Sequence, residues 1–272
     1  MKITLIEPRG FCFGVCRALK MLDDLLDKNP YVLDEIVHNK QIIKDYQQKG
    51  VCFVKSLTEV PKGANVVLSA HGVSKEIETK AKADFIVTDT TCPFVKKNHI
   101  WIQNLEKNGV PIVLIGKANH AEIVGMLGQI KEKAFLISDI KDVDALPDFK
   151  IIGVATQTTL SADDTKQIVE ALKQKFETVL FQNGVCMATQ ERQKAVQEAA
   201  KTNRLILVVG DKKSSNANRL VEVAKSAGAD SVLVETVEDL KKMSFPDTVA
   251  ITAAASAPEW IVAEIVDFLK KK

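Results

Sequence analysis

Long hydrophobic runs are missing from this 272-residue sequence: stretches such as "PIVLIG" and "LILVVG" stop after about six residues. A membrane-spanning helix needs roughly 20. The opening "MKITLIEPRGFC" puts Glu7, Pro8 and Arg9 inside what would have to be a signal core. No secretory signal and no spanning segment is therefore expected, and the expected location is the cytoplasm. Charge of one sign is missing too. Lys plus Arg (37) against Asp plus Glu (35) leave a formal net charge of +2, too little for nucleic acid as a bulk electrostatic partner. Cysteine is scarce and odd in number: Cys12, Cys16, Cys52, Cys92 and Cys186. That excludes a disulfide framework in a reducing compartment and leaves metal binding, catalysis or plain burial. Cys52, inside "VCFV", reads as a small buried hydrophobe.

What is present is ordinary globular composition, 46% apolar and 26% charged, arranged as alternating strand and helix patterns. The runs "ITLI", "NVVLSA", "FIVTD", "PIVLIG", "KIIGVAT", "LILVVG" and "TVAIT" suit parallel strands covered on both faces. Between them lie amphipathic helices. In "SADDTKQIVEALKQKF" Ser161 and Asp164 read as a capping box, with Ile168, Leu172 and Phe176 on one face. The fold class is α/β.

One pattern recurs three times. Cys12, Cys92 and Cys186 each sit where an apolar run hands over to a helix, about one small domain apart. After each helix comes another strand-to-helix joint, carrying in turn His38, His120 with Glu122, and Ser214, Ser215 and Asn216. A second set of joints presents His71, Thr158 and Ser256. The third copy ends in a helix without a closing strand, which the N-terminal "KITLIE" can supply. Three related α/β units follow: 13–92, 93–184, and 185–272 completed by 1–12. Loops at strand C-termini of open α/β sheets face a common crevice. Three such units around a pseudo-threefold axis would aim three thiols and a polar ring at one pocket.

Three convergent cysteines without a fourth suit a metal centre with one open position. Zinc and a cubane iron–sulfur cluster both satisfy that pattern. Cys16 falls one helical turn after Cys12 and reads as packed rather than ligating. The histidines, hydroxyls and amide favour an oxygen-rich anion such as a diphosphate. His99 is set apart as a mid-helix residue with a local role, and Lys212 and Lys213 as a solvated loop. Glu122 is the one acid in these motifs. It reads equally as a proton donor beside a metal and an anion or as a helix first-turn glutamate favoured by the dipole.

The stretches "GFCFGV", "IVHN", "SAHGV", "TTCPFV", "NHAEIVG", "TQTTLS", "VCMATQ", "SSNANR" and "ASAPE" run in order from residue 10 to residue 259. Together they resemble the LytB family of 4-hydroxy-3-methylbut-2-enyl diphosphate reductases. The resemblance implies a 4Fe–4S cluster on Cys12, Cys92 and Cys186, its fourth iron open to the substrate hydroxyl. It implies His38, His71, His120, Thr158, Ser214, Ser215, Asn216 and Ser256 around an allylic diphosphate, and Glu122 with Thr158 as the proton-delivering pair. It implies reductive dehydroxylation to isopentenyl and dimethylallyl diphosphate, with ferredoxin or flavodoxin as electron donor and neither nucleic acid nor membrane as partner. A zinc-dependent hydrolase or lyase acting on a phosphorylated metabolite is the alternative reading. Three positions depart from the family pattern. Ala121 stands where proline presets the helix start, Ala254 where glycine is usual, and Lys117 where histidine is common. They predict a less rigid Glu122, a shifted Ser256 loop and an added charge near the anion.

Overall fold

The computed structural model describes residues 1–182 and 184–272. Among them lie three four-stranded sheets, every pairing parallel. Strands β1 (Lys2–Leu5), β2 (Tyr31–Leu33), β3 (Cys52–Val54), β4 (Asn65–Leu68), β5 (Ile86–Asp89) and β6 (Ile112–Ile115) are followed by β7 (Phe135–Ile137), β8 (Ile151–Thr156), β9 (Thr178–Phe181), β10 (Leu205–Val209), β11 (Asp230–Val234) and β12 (Thr248–Ala253). The sheet orders are β3-β2-β4-β5, β7-β6-β8-β9 and β1-β12-β10-β11. Each repeats one plan: two central strands, an edge strand, and a second edge strand leading into a cysteine. In the third sheet that last strand is β1, paired with β12 from Lys2↔Thr248 to Leu5↔Ile251.

The helices are α1 (Phe13–Asp23), α2 (Lys40–Gln48), α3 (Lys75–Asp84), α4 (Pro93–Lys107), α5 (Ala121–Leu127), α6 (Ala162–Lys175), α7 (Met187–Ala200), α8 (Ser215–Ser226) and α9 (Glu259–Lys270). None is long and apolar enough to cross a membrane. Central strands are buried throughout: every residue of β6 and β10, and Val66, Val67 and Leu68 of β4. This is why their sequences are continuous apolar runs without alternation. Ser161 caps α6 by accepting from the Asp164 N–H at 3.1 Å, and Ile168, Leu172 and Phe176 are all buried on one face.

The chain divides into two compact units. One comprises Met1–Cys16, Val37–Asp45 and Met187–Lys272 and contains the β1-β12-β10-β11 sheet. Its core packs Ile206, Leu207 and Val208 of β10 with Ala250 and Ile251 of β12 against Leu220 and Ile265. The other comprises Arg17–Ile36 and Tyr46–Cys186 and contains the remaining two sheets. Leu33, Val66, Leu68 and Ala81 centre one of its cores. Val113, Ile152, Val154 and Leu172 centre another.

Two cysteine expectations are overturned. Cys52 is exposed rather than buried, because it opens the edge strand β3, whose burial rises only along its length to Val54. Cys16 is exposed rather than packed: α1 turns Val15, Ala18, Leu19 and Leu22 into the core and leaves Cys16 on the opposite face.

Candidate active site

In two sheets the chain leaves one central strand (β2, β6) toward one edge and the other (β4, β8) toward the opposite edge, and in the third β10 leads to one edge while β1 occupies the other beside β12, so each sheet has the same switch point between its central strands. Loops at such a switch point cannot cross over each other, and the crevice they leave is where open α/β sheets bind ligands. The loops after β2, β6 and β10 carry His38, His120 and Ser214. The loops after β4, β8 and β12 carry His71, Thr158 and Ser256.

The first three loops are built alike. Asp34, Gly116 and Gly210 each donate their backbone N–H to the last residue of the neighbouring edge strand, Val54, Ile137 and Val234. Gly116 and Gly210 let the next helix press close: a Cβ at Gly116 would lie 2.4 Å from Ile123 Cδ1, and one at Gly210 would lie 2.7 Å from Ala217 Cβ. His120 and Ser214 then cap α5 and α8, accepting from the N–H groups of Glu122 (3.2 Å) and Ala217 (3.3 Å). For α2 the cap is Asn39, one residue beyond His38, whose Oδ1 accepts from Gln41 and Ile42.

The cysteines follow a second shared rule. Each stands immediately before a helix, and its backbone N–H is held by a carbonyl two residues beyond a central strand. Cys92 bonds Ala70 (2.9 Å), Cys186 bonds Thr158 (3.2 Å) and Cys12 bonds Ala255 (3.2 Å). This register corrects the internal alignment by one residue. Thr158 is the counterpart of Ala70 and Ala255, so Thr159 is the counterpart of His71 and Ser256. Polarity alone could not distinguish the adjacent threonines; the backbone hydrogen bond does.

In the unit that holds Cys92 and Cys186, His71, His120, Glu122 and Thr158 come together. Glu122, in the first turn of α5, is 4% exposed. Both its oxygens are engaged by one residue: Oε2 accepts from the Thr158 N–H and Oε1 from the Thr158 hydroxyl, each at 2.7 Å. Glu122 beside Ala121 is thus held from the loop after β8 as well as by its place in the first turn of α5. The His71 and His120 rings meet edge to face, 6.2 Å between centroids. Ser69 donates its one hydroxyl proton to Glu35 O (2.7 Å), so it must accept from His71 Nδ1 at 2.9 Å. His71 thus carries a proton on Nδ1. His120 accepts at Nδ1, which puts its proton on Nε2. Lys117 is exposed, and its backbone N–H is held by the buried Gln157 at 3.1 Å.

The unit that holds Cys12 gathers His38, Ser214, Ser215, Asn216 and Ser256. Ser256 donates to His38 O at 3.0 Å. The buried Asp211 carboxylate accepts from the Lys40 N–H (3.0 Å) and the Lys213 N–H (2.8 Å), tying the α2 start to the loop before α8. Asn216 is 4% exposed, and neither its amide nitrogen nor its oxygen has a partner. A buried amide left so is expensive unless a ligand satisfies it. Ala254 is not among the residues with positive φ, so the expected strain in the Ser256 loop is absent. Lys212 and Lys213 are exposed.

Sequence reasoning set His99 aside, yet it lies directly behind these loops. It is buried in α4, against Gly72 (φ +78°) and Gly125, and burial above all, with Lys96 second, pulls its imidazole down to about 4. His99 is the seventh residue of α4 and its neighbours Gly72 and Gly125 lie on other segments, so the local sequence carried no signal for the contact. Among the described residues, no group of three or more His, Cys, Asp or Glu side chains is gathered closely enough for a single metal ion.

The model of the LytB protein family matches residues 3–270. The 4-hydroxy-3-methylbut-2-enyl diphosphate reductase of Actinobacillus pleuropneumoniae serotype 3 is 42% identical over 283 residues, covering 99% of this chain and 90% of that protein. The solved E-1-hydroxy-2-methyl-but-2-enyl-4-diphosphate reductase of Plasmodium falciparum superposes with a TM-score of 0.93 at 36% identity, over 99% of this chain and 88% of that one. A second solved structure, described as (E)-4-hydroxy-3-methyl-but-2-enyl diphosphate reductase, the terminal enzyme of the non-mevalonate pathway, has a TM-score of 0.73 at 29% identity, with both chains fully covered. These relatives are named reductases and lend no support to a zinc hydrolase or lyase. With the same three-sheet plan and a match from the first strand to the last helix, this chain belongs to the LytB family.

Proposed function

We propose that this protein reduces 4-hydroxy-3-methylbut-2-enyl diphosphate to isopentenyl and dimethylallyl diphosphate, the terminal step of the non-mevalonate isoprenoid route. The observation that carries the reading is the buried Glu122–Thr158 clamp at a switch point, in a chain whose full-length relatives are named for that reaction. A passive anion binder gains nothing from a carboxylate sealed beside its ligand.

The donor set fits an iron–sulfur group. Three thiols occupy equivalent positions before α1, α4 and α7, none of the five cysteines is in a disulfide, and thiolate ligation is what such clusters take. In this reading Cys92 closes the first unit, 13–92, Cys186 follows directly on the second, 93–184, and Cys12 ends the segment 1–12 that completes the third, 185–272; these three would hold a 4Fe–4S cluster with one iron open. When bound, such a cluster supplies electrons singly and a Lewis acid for the substrate hydroxyl. Two electrons and two protons enter and water leaves.

The chain's own groups do the rest. Asn216 offers an unsatisfied amide to the diphosphate, Ser214 and Ser215 offer hydroxyls at the same end of their sheet, and Ser256 joins them by turning its hydroxyl proton from His38 O to the anion. His120, with its proton on Nε2, donates to an anion while neutral. His71, protonated on Nδ1, becomes a cation for the anion when Nε2 is also protonated. His38 completes the set from the loop after β2. Glu122, an acceptor from Thr158 in this structure, takes up the proton that the leaving oxygen needs, and the Thr158 hydroxyl passes it on once it turns from donating to Glu122 to accepting from it. Ferredoxin or flavodoxin supplies the electrons, as the family resemblance implies. The cytoplasm is the compartment that keeps five thiols reduced.

Anaerobic isolation and reconstitution test the reading. The expected product is a brown protein with broad visible absorption that dithionite bleaches and that turns over the substrate with a reduced donor. A colourless, zinc-loaded protein without turnover overturns it.

A further inference from the structure

The helices that begin beside the cysteines share a feature that the proposed reaction does not explain. In α1, Arg17 Nη1 donates to the carbonyls of Thr90 and Thr91, both at 3.3 Å, just before Cys92. In α4, Asn98 donates from Nδ2 to Thr156 O at 2.9 Å and accepts at Oδ1 from Gln182 Nε2 at 3.5 Å, on the approach to Cys186. A Cβ at Gly184 would lie 2.7 Å from Thr156 O and 3.0 Å from that amide. In α7, Arg192 Nη2 donates to Gly10 O at 2.7 Å, just before Cys12. α1 and α7 thus hold the backbone just before the next cysteine, whereas α4 holds the end of β8, two residues before the Thr158 carbonyl that binds the Cys186 N–H.

We propose that Arg17, Asn98 and Arg192 are positioning residues that fix the three cysteine loops for their shared iron–sulfur ligand. The proposal rests on the iron–sulfur reading above. Asn98 and Arg192 are nearly sealed from solvent, and Arg192 Nε has no partner. Burying a guanidinium with a donor unsatisfied costs stability that an apolar side chain in the same space would not. What the cationic donor supplies instead is a strong, directional grip on a backbone carbonyl. Groups that orient metal ligands from behind commonly change metal retention when removed, by about tenfold or more.

The test uses the full chain, reconstituted anaerobically, as wild type, R17Q, N98A, R192Q and R192K. The rate at which an iron(II) chelator removes iron is measured beside the melting temperature of the apo-protein. R17Q and N98A are expected to release iron about tenfold faster while the apo-proteins melt near the wild type. R192K, which keeps one charged donor, is expected between wild type and R192Q. Iron release at the wild-type rate in R17Q and N98A overturns the proposal, as does release that merely tracks lost apo-protein stability. Should R192Q not fold, R17Q and N98A decide. A wild type that takes up no iron instead sinks the iron–sulfur reading itself, so the two failures are distinct.

Discussion

Replacing Glu122 and Thr158 separately divides proton delivery from structural support. Glu122→Gln keeps both contacts in neutral form: the amide oxygen accepts from the Thr158 N–H, and the amide nitrogen donates to the Thr158 hydroxyl. Stability should fall by less than about 1 kcal/mol, the scale of exchanging a charged for a neutral hydrogen bond. Turnover should fall by about 100-fold or more, the contribution of a positioned general acid. Thr158→Val is nearly isosteric but strips the 2.7 Å bond from a carboxylate oxygen that is 4% exposed. An unsatisfied buried charged group costs roughly 2 kcal/mol, so this variant should be the less stable of the two. Urea unfolding of the apo-proteins gives the stabilities, and anaerobic turnover with a chemical reductant at saturating substrate gives the rates. Thr158→Ser should restore both. Turnover of Glu122→Gln within twofold of wild type, or a Glu122→Gln protein less stable than Thr158→Val, would refute the reasoning.

Three further outcomes follow from the same packing. His99 is neutral in the folded chain with its imidazole near 4, whereas the unfolded chain takes up a proton near 6.5. Stability is therefore whole above pH 6.5 and declines by roughly 3 kcal/mol as the pH falls toward 4; urea midpoints at pH 7.5 and 4.5 should show this, and His99→Gln should flatten it. Asp211→Ala removes two backbone caps at once and should cost about 2 kcal/mol, with Asp211→Asn recovering part of it in the same unfolding assay. Gly72→Ala combines a φ of +78° with a Cβ 2.6 Å from His99 Cε1 and should cost roughly 2 kcal/mol or more, read as a lower melting temperature; an unchanged melting temperature would contradict the placement of His99.

The continuous apolar runs identified the central strands β4, β6, β8, β10 and β12 because those strands are buried on both faces, but "ITLI" and "FIVTD" form the less covered edges β1 and β5 and the short central strand β2 was passed over; polarity at the joints identified the loops because short connections leave few positions for a side chain. The missed features share one cause. Whether Cys52 and Cys16 are covered depends on which strand is an edge and which helix face meets the sheet, and no local window contains that information. Thr158 and Thr159 are equally polar, and only the bond from Cys186 to Thr158 O assigns the register. His99 looked like a mid-helix residue because its partners, Gly72 and Gly125, lie on other elements.

Arg17, Asn98 and Arg192 carry that argument furthest. The three residue types differ, so a search for repeated letters passes over them, yet each places a hydrogen-bond donor on a backbone carbonyl at a cysteine joint: Thr90 and Thr91 before Cys92, Gly10 before Cys12, and Thr156 at the end of the strand that leads to the carbonyl binding Cys186. The two arginines reach the segment entering a cysteine, and the shorter asparagine reaches the strand end beside it, so what recurs is the joint that is held, by way of different atoms. Symmetry in a repeat protein of this kind is therefore better sought in which backbone joints are held than in which side chains recur.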